Sequence, residues 1–517
     1  MKAVFFTLLF CLLFHGTASA DSLPMIGGLN DLPVITQEEA RHLAAPTGTV
    51  ELLLDGLPLP YDAASDTYFI SQSAQSSTFD GSLTLVRKSG YSYYLLPDAH
   101  CDKAEALSRS RGYTLYGTNG EQTDSATLLF SALPILSITT ADKALPGEED
   151  EDCTVLYYEA QPGSLSAQNL SAEINLRGNT SKIYPKQSYR LQFVDGFGDN
   201  RHVSLAGLRT DDDWILNPMY TDASKLREPL AYLLWDMMNS SGVHAQSSRI
   251  RYVEVFFNGA YHGLYGLQER VDIKQVNGSK KTDVLYKVRT NQRPTVEELL
   301  SCPDRTVCMA FEVENGDDFR GDTALLYRPA AAYMAALSDE TLDASISVSL
   351  NNAIDYGLFV AFTQAHDSHF KNQFLNAVSL PGQTLLYKLP WDLNYTLGDV
   401  YQKELAEYNY TEYYVGGTVM DAYFEILVQK GQPHVLQAIA QRWQTLRESA
   451  LSYANLSSLA QSLDQTIYAA RARDHVRWPE CGRGEGNTLT YEEILTYFSH
   501  ALRHMDAWCN SLVTKEQ

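Results

Sequence analysis

The stretch "LNNAIDYGLFVAFTQ", residues 350–364, constrains the fold most, because its apolar residues cover nearly the whole circumference of a helix. Such a helix is stable only when other elements surround it, so the chain must build a core around this segment. The next residues, "AHDSHFKNQF" (365–374), instead crowd ionisable and amide side chains together. They are either a solvated helix end or the catalytic loop of an enzyme.

The first twenty residues have the features of a secretory signal peptide. Lys2 precedes an apolar run from Val4 to Phe14, and Ala18-Ser19-Ala20 fits a cleavage site. The run is too short for a membrane helix, and we find no longer one elsewhere in the sequence. We therefore expect a soluble, secreted or cell-surface protein without a membrane span.

The charge balance bears on possible partners. The 517 residues include 63 acidic and 40 basic side chains, a formal net charge of −23. Such a chain is repelled by the phosphate backbone, which argues against nucleic acid as a partner. Basic substrates and divalent cations fit the charge better.

The cysteines predict structural bridges. Seven are present, and six remain once Cys11 is removed with the signal peptide. An even number in an exported chain permits disulfides, and the spacings match no zinc-site pattern. We expect Cys302–Cys308 and Cys481–Cys509 bridges, with buried thiols as the alternative.

Composition and pattern divide the chain into two parts. Residues 24–140 contain short alternating or aromatic runs between Gly, Asp and Ser clusters, which predicts a β-rich module. The acidic loop "ALPGEEDED" (144–152) marks a boundary, and residues 150–515 form the second domain. The predicted fold class is α+β.

The second domain begins with a mixed pattern. Residues 172–193 read as strand, turn and strand, and residues 222–239 have helical spacing with Asp222 or Ser224 as the cap. Residues 250–272 form a hairpin with Asn258-Gly259 at its turn. The predicted order is strand–strand–helix–strand–strand. Further along, "TLLYKLP" is a strand, and residues 434–454 and 491–512 are helices.

Three residues of the second domain have the pattern of phosphoryl-transfer chemistry. Asn372 follows Asp367 by five positions, and Asp392 comes after the next strand. In such a pattern the first Asp orients an attacking hydroxyl and accepts its proton. The Asn and the second Asp hold Mg²⁺, a hard cation that prefers oxygen ligands. This favours the catalytic loop for residues 365–374.

Phosphate groups also need a cation, and the upstream half offers candidates. "YPKQSYRL" contains Lys186 and Arg190, with Lys186 entering a strand. In a kinase-like lobe a strand lysine meets the phosphates and pairs with an acid of a neighbouring helix. Glu228 is the acid near the start of the predicted helix.

Four blocks in this order resemble the spore-coat-protein-H (CotH) kinase family: "LRGNTSKIYPKQSYRLQF", "NGAYHGLYGLQERVD", "AHDSHFKNQFL" and "LPWDLNYTLGD". The resemblance implies an atypical protein-kinase-like, two-lobed fold, preceded here by the β-rich module. It implies transfer of the γ-phosphate of ATP to Ser or Thr of a protein substrate, for which Ser-rich or basic sequences are candidates. ATP and Mg²⁺ are the implied cofactors.

The resemblance also implies roles for residues of this chain. Arg177, Gly178 and Ser181 match the first turn of the family pattern, and Ser188 stands in the block of Lys186 and Arg190. The implied catalytic residues are Asp367 and Lys186, and the metal ligands are Asp392 and Asn372. The implied nucleotide-binding residues are Lys186, Arg190, Ser181, Glu228 and Glu269, the last at the end of the hairpin.

The chain departs from the family pattern, and alternatives stay open. Asn394 stands where the family commonly has a second Asp, which removes a charge from any metal contact there, and His366 precedes Asp367 in place of a commoner polar residue. The aromatic cluster 407–417 either lines a substrate groove or caps the fold. A non-catalytic surface or adhesion protein on the same scaffold is the main alternative, and a glycosidase with an acid pair finds little support.

Overall fold

The computed structural model describes residues 26–98, 102–109, 112–178, 180–398, 419–482 and 491–514. The proposed signal peptide and the aromatic cluster 407–417 lie outside these residues. The described part mixes helices and strands, as the predicted α+β class requires.

The N-terminal part is built from short strands around a mixed sheet. Its order is β4-β5-β9-β8-β7, with β1 parallel to β9, while β3-β2-β6 form a small separate sheet. The elements are β1 (Pro46–Thr49), β2 (Leu52–Leu54), β3 (Leu57–Pro58), β4 (Tyr61–Asp62), β5 (Thr67–Ser71), β6 (Thr84–Leu85), β7 (Ser92–Pro97), β8 (Gly112–Thr118) and β9 (Thr123–Ser131), with helices α1 (Gln37–Ala40) and α2 (Lys103–Arg109).

A closed barrel follows directly. Its order is β10-β11-β12-β13-β14-β16-β15, and β15 returns to pair in parallel with β10. The strands are β10 (Ile135–Thr140), β11 (Glu151–Gln161), β12 (Ser164–Arg177), β13 (Ser188–Val194), β14 (Asp213–Asn217), β15 (Ile250–Phe257) and β16 (Ala260–Glu269). The predicted turn at Asn258-Gly259 is confirmed, and both residues have positive φ (53° and 79°), as a tight hairpin needs.

The helix predicted at 222–239 is α3 (Arg227–Met238), which lies between β14 and β15. The side chains of Asp222 and Ser224 both accept hydrogen bonds from backbone N–H groups at its N-terminus. Asp222 Oδ2 accepts the N–H of Arg227 at 2.9 Å, and Ser224 Oγ accepts that of Leu226 at 3.1 Å. These bonds satisfy donors that a helix N-terminus otherwise leaves unpaired.

A six-stranded sheet, called the second sheet below, and three helices follow the barrel. The sheet order is β18-β19-β17-β21-β22-β20. The elements are β17 (Val284–Val288), β18 (Val307–Cys308), β19 (Phe311–Val313), β20 (Ile346–Val348), β21 (Gln373–Leu380), β22 (Gln383–Pro390), α4 (Val296–Leu300), α5 (Thr323–Leu337) and α6 (Leu350–Thr363).

Helix α6 is the predicted apolar helix of residues 350–364, and it is buried from Asn352 to Thr363. It contacts α3 and β22 and the later helices α7 (Ala422–Lys430), α8 (Pro433–Glu448) and α10 (Tyr491–Thr514). Its buried acid, Asp355, accepts bonds from Arg442 Nε at 2.6 Å and from the Ser240 N–H at 2.8 Å. The chain thus builds a core around this helix, as predicted.

Two sequence predictions need correction. The helix predicted at 434–454 is broken: α8 ends at Glu448, and α9 (Tyr453–Arg477) begins after Ser452, whose hydroxyl accepts the Asn455 N–H at 3.2 Å. Strand β14 was missing from the predicted order, because its short pattern lies between an acidic run and Asn-Pro. Among the described residues, no helix has the length and apolar character needed to cross a membrane.

The expected disulfides are also wrong. The described cysteines, Cys153, Cys302, Cys308, Cys481 and Cys509, are all free. Cys481 lies against Tyr220 and Lys225, whereas Cys509 is buried within α10, so these two thiols are held by different neighbours. The thiols of Cys302 and Cys308 lie side by side without a bond, and burial followed by Cys302 raises the pKa of Cys308 to about 12.

The contact between α6 and α7 yields a stability prediction. A Cβ on Gly357 would lie 2.0 Å from Cγ of the buried Phe424 ring. Replacing a helical glycine by alanine usually stabilises by about 1 kcal/mol, but overpacking a core costs about 1–3 kcal/mol. We expect Gly357→Ala to lower the free energy of unfolding by up to about 2 kcal/mol, the overpacking cost less the helical gain, measured by urea denaturation.

Gly196→Ala is the matched control for this experiment. No atom lies within 4 Å of the Cβ that this change adds. Its free energy of unfolding should stay within about 0.5 kcal/mol of the parent. A stabilised Gly357→Ala protein would contradict the tight α6–α7 packing.

Candidate functional site

The β21–β22 hairpin brings Asn372 and Asp392 together. Its antiparallel register pairs Gln373 with Pro390, so the residues just outside that pair become neighbours. The N–H of Trp391 donates to the carbonyl of Asn372 at 3.1 Å, and the N–H of Asn372 donates to Val288 of β17 at 3.0 Å. Asn372 is therefore fixed from both sides, one residue from Asp392.

The backbone bends at both positions. Asn372 and Asp392 each have φ of 56°, in the left-handed region that few residues other than glycine adopt. Asn and Asp tolerate this region best among the other residues, because their short side chains can hydrogen-bond locally. Such backbone conformations concentrate at functional sites.

Asp367 lies in the loop that joins α6 to β21. Its Oδ2 accepts the side-chain N–H of Asn372 at 2.9 Å and lies 2.8 Å from the ammonium of Lys371. Asn372 uses its amide nitrogen here, so its amide oxygen stays available. Phe370 and Phe374 anchor the loop, because both are buried, Phe370 in the core of the second sheet and Phe374 in the core around α6.

Asp392 is accessible to solvent, yet protein crowds its carboxyl from several sides. Desolvation raises its pKa, and the negative charge of Asp367 raises it further. Its N–H donates to the hydroxyl of Tyr232 in α3 at 3.3 Å. Within the described part of the chain, its carboxylate has no hydrogen bond or ion pair. These features are those of an acid that faces a cleft.

Glu228, in the first turn of α3, belongs to the same cluster. Its Oε2 accepts the side-chain N–H of Asn217 at 2.8 Å. Burial raises the pKa of Glu228 to about 8, and the charge of Asp392 adds to the increase. The sequence-predicted acid of the helix therefore lies beside the sequence-predicted metal ligand.

Arg177, the last residue of β12, is the strongest in effect of three cations that act on Asp392, the others being Lys371 and Lys287. Desolvation lowers the pKa of its guanidinium, whereas Asp392 and Glu228 oppose that decrease. No hydrogen bond or ion pair joins Arg177 to any residue that the structure describes. From the sequence, Arg177 was assigned to a turn. The one sequence feature that could have marked it as a site residue is its position at a strand end before a glycine.

Lys186 lies apart from this cluster. Its ammonium is fully buried and contacts Asp474 Oδ1 of α9 at 2.7 Å, the carbonyl of Pro218 at 3.1 Å and the carbonyl of Leu264. Burial lowers the pKa of Lys186 to about 8, against the opposing charge of Asp474. The structure thus pairs Lys186 with α9 and not with Glu228.

The remaining nucleotide-binding candidates have local partners. Arg190 forms a two-pronged pair with Asp213, through Nε to Oδ1 at 3.0 Å and Nη2 to Oδ2 at 3.0 Å. Ser181 lies in a short 3₁₀ helix, Thr180–Ile183, and its hydroxyl occupies the space where a Cβ on Gly178 would lie, 2.0 Å away.

Glu269 is buried, and its carboxylate accepts the backbone N–H of Arg209 at 3.0 Å. The preceding residue, Gln268, bonds instead to Asn217 and the Tyr232 hydroxyl on the α3 side. Because adjacent strand residues point to opposite faces, the structure brings Gln268, and not the side chain of Glu269, towards the acid cluster.

The oxygen atoms of the cluster fit a hard divalent cation. Asp392 offers an unpaired carboxylate, and Asn372 offers its amide oxygen. Asn394 Oδ1 is buried without a hydrogen-bond partner, which is costly for a polar atom unless something else binds it. One carboxylate and two amide oxygens are ligands that Mg²⁺ accepts.

The cluster therefore combines three acids (Asp367, Asp392 and Glu228), two amides and an arginine whose guanidinium has no partner among the described residues. This is the kind of site that binds a cation together with a phosphate group. A comparison with family models matches residues 174–510 to the family described as CotH kinase protein. The chain belongs to this family. A comparison with curated proteins found no match.

The raised pKa of Glu228 predicts how stability depends on pH without metal. Between its ordinary value of 4.5 and about 8, the folded protein holds a proton that the unfolded chain has released. Stability must therefore fall as pH rises through this window, by at most about 1.4 kcal/mol per pH unit.

Glu228→Gln should remove most of this fall, because glutamine stays neutral throughout. Urea denaturation at pH 5 and pH 8 in EDTA, for the parent and the variant, measures the difference. An unchanged pH dependence in Glu228→Gln would mean that Glu228 is ionised in the folded protein.

Proposed function

We propose that this chain is an ATP- and Mg²⁺-dependent protein Ser/Thr kinase of the CotH type, exported from the cell. The observation that supports this most is the proximity of Asp367, Asn372 and Asp392, with Arg177 near them and without a side-chain partner among the described residues. Membership of a family described as a kinase agrees with it.

The proposed fold has two lobes with the nucleotide between them. The barrel and α3 form the first lobe, and the second sheet with the helices around α6 forms the other. The segment 24–140 is proposed as an N-terminal module and 150–515 as the kinase-like domain. Strand β10 (Ile135–Thr140) pairs within the barrel, so the module and the barrel meet at that strand.

Asp367 is the proposed base for the acceptor hydroxyl. Lys371 and Asn372 both bind its Oδ2, which fixes the position of the carboxylate. The carboxylate can therefore orient a substrate Ser or Thr and accept its proton. Positioning of this kind supplies much of the rate in phosphoryl transfer.

Asp392, Asn372 and Asn394 are the proposed Mg²⁺ ligands. The bound cation would neutralise the charge of the ATP phosphates. A bound cation would also stabilise the ionised form of Asp392, whose pKa is raised by burial and then by the charge of Asp367. The amide of Asn394 contributes an oxygen without a charge, which makes the site less negative than the usual family pattern.

We assign the phosphate-binding cation to Arg177 in place of Lys186. Arg177 is half-buried, has no described partner and lies within electrostatic reach of Asp392 and Glu228. A guanidinium binds phosphate oxygens through two parallel N–H bonds, which suits this position. Lys186 instead joins the barrel to α9.

The assignment predicts opposite behaviour for two variants. Arg177→Met should weaken nucleotide affinity by about 1.5–3 kcal/mol, the typical contribution of a hydrogen bond to a charged group. Its free energy of unfolding should change by less than about 0.5 kcal/mol, because no folded-state bond is lost. Lys186→Met should instead destabilise the fold by about 3–5 kcal/mol, because it leaves Asp474 buried with one fewer partner.

Calorimetry with Mg²⁺–ATP and urea denaturation measure the two effects. Arg503→Met is the control, since Arg503 is exposed on α10 and bonds to its own helix. Unchanged nucleotide affinity in Arg177→Met would mean that a cation other than Arg177 binds the phosphates.

Substitutions of Asp367 and Asp392 should also have different effects on turnover and on nucleotide affinity. Asp367→Asn removes the base and should lower kcat by about 10²–10⁴-fold with nearly unchanged nucleotide affinity. Asp392→Asn removes the charged metal ligand and should weaken Mg²⁺-dependent ATP binding as well as turnover. Mass spectrometry of phosphate gained by the protein or by a Ser-rich basic peptide, with Mg²⁺ or EDTA, measures turnover.

Asp317→Asn is the control, because Asp317 is exposed and makes no contact within the described chain. Equal ATP affinity in Mg²⁺ and EDTA would contradict the metal site. Mg²⁺-dependent ATP binding without any phosphate transfer would favour the non-catalytic surface protein.

A further inference from the structure

The closest contact between a lysine and a cysteine in the described chain lies outside the proposed site. Lys225 Nζ is 2.6 Å from Cys481 Sγ. An N–H···O hydrogen bond usually spans about 2.9 Å, and sulfur is a larger atom than oxygen. The two atoms are therefore closer than an ordinary hydrogen bond to a thiol would bring them.

Both residues are held in place by their surroundings. Lys225 is fully buried, has φ of 59°, and also directs Nζ at the carbonyl of Met219 at 2.8 Å. Cys481 is half-buried, and its sulfur lies 3.1 Å from the carbonyl of Tyr220. A left-handed backbone at a lysine is strained, so the surrounding structure must fix this conformation.

A neighbouring carboxylate gives independent support. Asp474 Oδ1 binds Lys186 and the N–H of Leu264, whereas its buried Oδ2 has no hydrogen bond. Lys225 Nζ lies 3.3 Å from this Oδ2. A buried ammonium would normally direct a proton at such an oxygen, yet the nitrogen of Lys225 is turned towards the sulfur of Cys481.

We propose that Lys225 and Cys481 form a covalent N–O–S cross-link when the protein meets dioxygen. One oxygen atom of dioxygen becomes the bridge between Nζ and Sγ. The ammonium of Lys225 first releases a proton to solvent; the resulting amine and the thiol then each lose one hydrogen, and these leave with the second oxygen atom as water. The cross-link does not depend on the proposed kinase activity.

The cross-link would join two distant parts of the chain. Cys481 follows α9, and Lys225 lies just before α3, which carries Glu228 three residues later. Sequence separation between the two is 256 residues, so the bridge would remove much freedom from the unfolded chain. It would also hold the start of α3 against α9, beside the Lys186–Asp474 pair.

Peptide mass spectrometry of the air-exposed, full-length protein tests the proposal. We expect a cross-linked pair of peptides containing Lys225 and Cys481, heavier than the separate peptides by one oxygen less two hydrogens. Treatment with a thiol reductant should release both unmodified peptides. Separate peptides only, or a linked pair that lacks the extra oxygen, would overturn the proposal.

Thermal unfolding provides a second readout. The oxidised protein should unfold at a Tm several degrees above that of the reduced protein, because the bridge closes a long loop. Cys481→Ser should remove this difference, and so should Lys225→Arg if it folds. Cys153→Ser is the control, since Cys153 is a buried thiol in the barrel without a lysine contact, and it should keep the difference. A difference that persists in Cys481→Ser would assign the shift to another thiol and overturn the proposal.

Discussion

The pairing of Gln373 with Pro390 is the constraint on which the candidate site depends. A hairpin fixes its register through its turn and its backbone bonds, and a slip of one residue turns every side chain to the other face. The register places Asn372 beside Asp392, and the loop from α6 brings Asp367 to the same point. The geometry of the acids thus follows from backbone pairing, and side-chain contacts only refine it.

Charge is divided between two separate buried networks around α3. One contains Lys186, Lys225 and Asp474, in which Asp474 lies within ion-pair distance of both lysines and its contact with Lys186 joins α9 to the barrel. The other contains Arg177, Glu228 and Asp392, in which desolvated groups influence one another without a direct bond. The first network has the properties of a structural connection. The second contains a carboxylate and a guanidinium without side-chain partners among the described residues, which agrees with the proposed nucleotide site.

The N-terminal sheet is attached to the barrel by apolar packing as well as by the chain. Tyr158, Phe256 and Tyr261 of the barrel strands belong to the core of that sheet. Ser131 at the end of β9 donates to the buried carboxylate of Glu254, which Arg473 of α9 also binds. Removing the N-terminal part would expose these aromatic rings and leave Glu254 with fewer partners, so the barrel depends on it for solubility and stability.

The sequence by itself determined the family, the α+β class, the buried helix α6, the Asn258-Gly259 turn and the acids Asp367 and Asp392, because these depend on local pattern and short spacing. It did not determine which cation faces the acids, since Lys186 and Arg177 are both strand-associated and basic. Only the tertiary structure separated them: α9, nearly 300 residues later, places Asp474 on Lys186, whereas the guanidinium of Arg177 has no partner in the part of the chain that the structure describes. The free cysteines and strand β14 were missed for the same reason. Each depends on contacts between distant segments, whose distances no local pattern encodes.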